Sequence, residues 1–313
     1  MTERERLLAV LAGEIPDKVP HFELDFQLAA EAFGEGFPDL SGYDQASEAE
    51  KERLTQAYLD MWEKVADRYH WAAVPVSLPL LPAARRRFEQ KAVVFTYNGM
   101  GTFWMPPGDK IMDFVVDLFE NPEKLHEEAK RKCRESIELA KMQADAGAEF
   151  ICINSDYGFN DGPFISPTMF AEFVTPYLTQ IVGAIHDLGL KAILHSDGDL
   201  RKILDQLVSA GLDGYQSIDP QGHMDIAQVK AQYGDRLILM GNVRSAALQD
   251  SDPEIIRESV RYAIKNGKPG GRYIFSTSNC IFAGMPLENY HIMLDEYEKL
   301  AYYTPEEQKS TAI

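Results

Sequence analysis

The sequence predicts an α/β fold, a (β/α)8 TIM barrel with additional N-terminal helices, as a single domain over residues 1–313. Three observations carry that expectation. From Glu149 onward, short apolar runs alternate with stretches of helical periodicity, the mark of βαβ units and a parallel sheet. Those apolar runs are uninterrupted, as strands buried on both faces should be. No glycine-rich phosphate loop follows an early strand, which disfavours a dinucleotide-binding sheet; the strand count suits a closed barrel.

In order, Glu3 to Leu11 reads as an amphipathic helix ending at Gly13. Val19 to Leu24 reads as a strand. Gln45 to Tyr69 is a long helix, with Leu54, Tyr58, Met61, Trp62 and Val65 on one face. Val74 to Leu78 is a buried strand closed by Pro79. Lys91 to Trp104 is strand-rich, read as a hairpin. Arg85, Arg86 and Arg87 are expected in a solvated loop. Pro122 opens a helix reaching Ala146, with proline tolerated in the first turn. Glu149 to Asn154 is a strand. Ser166 caps a helix running to Leu188. Strands are expected at Lys191 to His195, Asp213 to Ser217, Arg236 to Met240 and Tyr273 to Ser276. Between and after them, helices cover Leu200 to Ala210, Asp225 to Tyr233, Asp252 to Gly267 and Pro286 to Ala301.

Composition narrows the function classes. The chain carries 49 acidic and 31 basic residues, a formal net charge of -18. Such a surface repels phosphate backbones, so no nucleic-acid partner is expected. No apolar run reaches the roughly 20 residues needed to span a bilayer, so no membrane partner is expected either. The N-terminus is charged and lacks a signal-peptide core. Cys133, Cys152 and Cys280 make no disulfide framework, and a reducing cytoplasm is the expected location.

In a parallel barrel, active groups lie at the C-terminal strand ends. Polar residues gather at those positions: Glu23 and Asp25, then Asp156 and Tyr157, His195 and Asp197, Gln216 and Ser217, Asn242, and Cys280. His195 and Asp197 are two apart, so in extended chain both project to one side. Imidazole and carboxylate are zinc ligands, and Cys280 could add a thiolate. Three protein ligands with one open position is the arrangement of a catalytic zinc site. On the pattern alone, a metal-free His–Asp pair with an inert buried Cys280 is the leading reading. Of the remaining rim residues, Phe22, Tyr157, Gln216, Asn242 and Trp104 are the substrate-binding candidates. Glu23 and Asp156 are the candidates for acid–base work.

Several stretches resemble the uroporphyrinogen decarboxylase superfamily. They are Arg4 through Pro20, Gly162 through Tyr177, Leu194 through Gly198, and Leu239 through Val243. The resemblance runs over nearly the whole chain and implies a (β/α)8 barrel. True decarboxylases of the superfamily carry an arginine-rich segment after the first strand. Here Pro20 to Phe26 is apolar and acidic, and Glu23 and Asp25 are expected to repel an anionic tetrapyrrole.

The corrinoid-linked methyltransferase branch resembles the chain better. Its zinc motif, His-x-Cys with a distant Cys, is matched by His195 and Cys280, and Asp197 stands where the middle Cys is expected. With this context the zinc reading overtakes the metal-free one. A carboxylate in place of a thiolate hardens the site and suits an oxygen-bearing substrate. The resemblance therefore implies a zinc-dependent O-demethylase component. It would move methyl from a small methyl ether, for example a methoxylated aromatic, to the cobalt of cobalamin on a separate corrinoid protein. A homodimer is a further expectation. The alternatives are transfer from a corrinoid protein to a thiol, a metal-independent decarboxylase, and a non-catalytic binding protein.

Overall fold

The computed structural model describes residues 1–99, 101–250 and 252–309, without the Asp250 side chain. The chain divides into two compact units: Met1–Phe95 together with Gly241–Ile313, and Thr96–Met240. Its strands in chain order are β1 (Ala73–Pro75), β2 (Val93–Tyr97), β3 (Phe150–Asn154), β4 (Gly158–Phe159), β5 (Gly162–Pro163), β6 (Lys191–Ser196), β7 (Gly214–Ser217), β8 (Ile238–Val243) and β9 (Tyr273–Thr277).

Within Thr96–Met240, β3, β6 and β7 lie side by side and parallel. Ile151, Ile153, Ile193 and Leu194 are buried, and full burial of such a side chain stabilises by about 1.5–3 kcal/mol. Asn154 pairs with His195, and His195 with Gln216. Three candidate strand ends are thereby brought level. The antiparallel pair β4–β5 follows β3 as a short hairpin.

Helices Pro122–Asp145 and Thr175–Asp187 pack together, and the second also covers β6. The expected helix from Ser166 to Leu188 is two helices, Pro167–Phe173 and Thr175–Asp187. Pro176 has no N–H to continue the ladder, so the chain turns at Val174. Ser166 caps the first as expected, accepting from the Met169 amide at 3.3 Å. Helix Ile111–Glu120 was not anticipated.

In the other unit, β1 runs parallel to β2, with Ala73 opposite Val93. Lys91 to Trp104 thus holds one parallel strand instead of a hairpin; Met100 in this stretch lies outside the described residues. The expected strand from Val19 to Leu24 makes a single parallel bridge, His21 to Phe275, and another follows just beyond it, Phe26 to Ile281. Its carbonyls are still used: Pro20 accepts from the Phe275 amide at 2.9 Å and His21 from the Ala72 amide at 2.8 Å. A regular ladder fails because Pro20 has no amide hydrogen. In addition, the Asp25 carboxylate takes the Phe26 amide at 2.9 Å, a local bond that competes with sheet pairing.

Arg85 to Arg87 end a helix, Leu81–Arg87, and are not in a loop. Arg87 is held by Asp60 at 2.6 Å and by Glu63. Both acids lie on helix Glu48–Tyr69, whose charged face fixes the segment. Helices Pro253–Gly267 and Leu287–Leu300 pack against each other and complete this unit.

Candidate metal centre

Asp156, His195 and Asp197 converge in the Thr96–Met240 unit. Each offers one ligand atom, and these atoms all lie within 4.8 Å of one another. The strand register explains the convergence. Asn154 is level with His195, so Asp156, two residues beyond Asn154, comes level with Asp197, two beyond His195. The Asp156 Oδ1 accepts from the Asp197 amide at 3.0 Å, which ties the two strand ends together.

Each ligand is oriented by a neighbour. The Nδ1–H of His195 donates to Oε1 of Gln216 on the adjacent strand. An acceptor at Nδ1 fixes the proton there and leaves the lone pair on Nε2, which faces Asp156 Oδ1 at 3.8 Å. The Ser217 hydroxyl donates to Asp197 Oδ1 at 2.6 Å. Ser217 adopts φ 101°, a left-handed value for a side-chain-bearing residue. Such backbone strain is typically held where a site needs it.

Gly198 follows Asp197 with φ 84°, and a Cβ there would meet the Gly158 carbonyl oxygen at 2.3 Å. Only glycine allows the strand-end turn and the β4 backbone to approach so closely. The turn is held by the Gly198 amide donating to Asp219 at 3.2 Å.

The electrostatics suit a cation. Burial pushes the Asp197 carboxyl above its ordinary range; the His195 side chain and the Ser217 hydroxyl oppose this, and Asp156 and Asp219 add to it. Three carboxyls gathered near one imidazole are relieved by a positive ion. One nitrogen and two oxygens at this spacing form a donor set that zinc accepts. Asp156 is 34% exposed, so the group has a side open to an incoming molecule.

The family model for uroporphyrinogen decarboxylase matches residues 105–300. The chain belongs to the uroporphyrinogen decarboxylase family. That match contains Asp156, His195 and Asp197. Among curated relatives, the chloroplastic uroporphyrinogen decarboxylase of Nicotiana tabacum is 28% identical over 249 residues, 77% of this chain and 61% of that protein. The uroporphyrinogen decarboxylase of Psychromonas ingrahamii is 24% identical over 189 residues, 58% of this chain and 50% of that protein. The chain thus spans only half to three-fifths of these relatives' length.

A solved methyltransferase from Methanosarcina mazei superposes with a TM-score of 0.74 at 17% identity, over 96% of this chain and 99% of that one. At that identity the likeness is one of fold. This family member has an α/β, TIM-barrel-like architecture, as the sequence predicts. Among the described residues, no helix is long and apolar enough to cross a membrane.

The remaining candidates divide by unit. Gln216 is buried against His195. Tyr157 is buried too, its ring 5.1 Å from Phe170 and 6.3 Å from Phe164, and its amide donates to Ser196 Oγ at 2.9 Å. Trp104 is half-buried, next to Met105, whose amide donates to the Asp156 carbonyl at 2.9 Å.

Glu23, Phe22, Asn242 and Cys280 belong to the other unit, and all four are buried. Phe22 packs on Phe95, ring centroids 5.4 Å apart. Glu23 accepts from the Thr277 amide at 3.0 Å and its hydroxyl at 2.7 Å. Burial raises the Glu23 carboxyl to about 8, against those two hydrogen bonds. At neutral pH it is therefore an uncharged acid.

Two rim residues named from the sequence take places in this centre that the sequence did not assign. Asp156 is expected to do acid–base work, yet it stands among the ligand atoms. Ser217 is the hydroxyl that holds Asp197. The register between β3, β6 and β7 reveals both, and strand-end position was the available signal.

Proposed function

We propose that this family member is a zinc-dependent methyltransferase. It moves a methyl group from a methyl ether, such as a methoxylated aromatic, to the cobalt of a corrinoid carried by a separate protein. The observation that carries the reading is the group Asp156, His195 and Asp197 within 4.8 Å. Bound there, zinc supplies Lewis acidity to the ether oxygen as it takes up negative charge.

The chain's own residues do the rest. Gln216 holds the imidazole in the tautomer that presents Nε2. Ser217 fixes one Asp197 oxygen and so sets the direction of the other. Such outer partners typically change metal affinity 10–100-fold. Cys280, the thiolate expected from the sequence, is the competing choice for the third ligand in place of Asp156, since a fourth protein ligand would close the position that the ether oxygen needs. Trp104 is proposed to contact the substrate ring. Glu23 keeps its proton at neutral pH, the state required of a general acid.

Transfer of methyl to a thiol is the second reading. One imidazole and two carboxylates make a hard ligand set, and soft acceptors such as thiols are better served by sulfur ligands. The test is direct. Purified protein should contain about one zinc per chain, and should release a phenol from a methoxylated arene when a reduced corrinoid is supplied. Full activity of the His195→Ala protein would overturn the reading.

A further inference from the structure

Helix Ile111–Glu120 presents an apolar stripe to solvent. Met112, Val115, Val116 and Phe119 are 69, 37, 43 and 69% exposed. Their spacing, i, i+3, i+4 and i+7, puts them on one face. The opposite face is already satisfied: Leu118 is buried, and the Phe114 ring lies 5.5 Å from Phe103 and 6.0 Å from Phe164. The stripe is therefore no misplaced core face. A contiguous patch of a few hundred Å2 on an otherwise polar surface commonly marks an interaction site.

The helix is also tied to the metal group. Phe164 stacks on Tyr157, which follows Asp156 in the chain. The Met105 amide, just ahead of the helix, donates to the Asp156 carbonyl at 2.9 Å. Acids edge the stripe: Asp109, Asp113 and Glu120 are exposed, with Lys110 the lone base between Asp109 and the helix.

We infer that this stripe is the docking face for the separate protein that carries the methyl acceptor, which presents an apolar cleft rimmed by lysine and arginine. The inference rests on the methyl-transfer reading and adds where the partner binds. Charge complementarity selects the occupant. A chain of formal charge -18, with acids flanking the stripe, is repelled by an anionic lipid surface and by a second copy of itself. Location agrees too, since the segment leading into the helix is tied to Asp156 by the Met105 amide.

The experiment measures the dissociation constant between purified protein and a purified corrinoid-carrying acceptor protein from the same source, by calorimetry at low and high salt. The double variant V116D/F119D should bind at least ten-fold more weakly, with unchanged zinc content and circular dichroism. D113K/E120K should also bind more weakly, with a flatter salt dependence. Unchanged binding by both variants overturns the inference, as does absence of binding by the wild-type chain. A dimer in sedimentation that V116D/F119D dissociates would assign the stripe to a second copy and also overturn it. Methyl transfer to free reduced cobalamin tests the catalytic reading separately. Activity there with no carrier binding would sink only the docking face, whereas carrier binding without any transfer would sink only the chemistry.

Discussion

Gln216 accepts a hydrogen bond from His195 Nδ1 across adjacent parallel strands. That contact decides which imidazole nitrogen faces the two carboxylates. Gln216→Leu should keep the fold, because the site is already buried and the volumes are similar. It should weaken zinc binding 10–100-fold. A competition titration with a chelator measures this; unchanged affinity would remove Gln216 from the site.

The ligand group makes a stoichiometric claim. Asp156→Ala, His195→Ala and Asp197→Ala should each lose most of the zinc seen in wild type, read by elemental analysis. Cys280→Ala should keep its zinc, because Asp156, His195 and Asp197 already supply three protein ligands. Loss of zinc from the Cys280→Ala protein would instead put the thiolate in the place of Asp156.

Glu23 predicts a pH dependence with a definite sign. Its folded carboxyl titrates at about 8, well above its unfolded value near 4.3. The folded state holds the extra proton between those values, so stability falls as pH rises through that window. Glu23→Gln should therefore show a flatter stability profile from about pH 5 to 8, in denaturant titrations at several pH values. If Glu23 donates a proton in turnover, wild-type kcat should fall as pH passes about 8 and the Gln variant should be slow throughout.

His21 works in the opposite direction. It lies in an aromatic cage with Trp71, Phe275, Tyr290 and Tyr297. Its Nδ1–H donates to the Phe275 carbonyl at 3.1 Å, and Nε2 accepts from the Tyr290 hydroxyl at 3.1 Å. Burial lowers it to about 3, against an unfolded value near 6.5. The unfolded chain takes up the proton first, so stability present above about pH 6.5 is lost as pH falls toward 3. Thermal melts of wild type and His21→Phe should show a shallower acid dependence in the variant, whatever its stability at pH 7.

Substrate class separates the two methyl-transfer readings. With a reduced corrinoid acceptor, methoxylated arenes should be demethylated. With a methylated corrinoid donor, thiols such as homocysteine should be methylated at least 100-fold more slowly. Equal or faster thiol methylation would favour the second reading.

The sequence by itself determined the class of the fold and the positions of the parallel strands from Glu149 onward. Apolar runs of strand length between helical periods have few other ways to bury both faces. It also singled out His195 and Asp197, because a spacing of two in extended chain puts both side chains on one side. The family resemblance was legible in the stretches Gly162 to Tyr177 and Leu194 to Gly198. Other features depended on partners distant in the chain. Asp60 and Glu63 recruited Arg87 from an expected loop. Most of all, the tertiary structure decided that Asp156 joins His195 and Asp197. Register between neighbouring strands is set by how the hydrophobic patterns of both fit together and by the connection between them, which neither strand's residues fix alone; only once Asn154 lies opposite His195 do the two carboxylates meet.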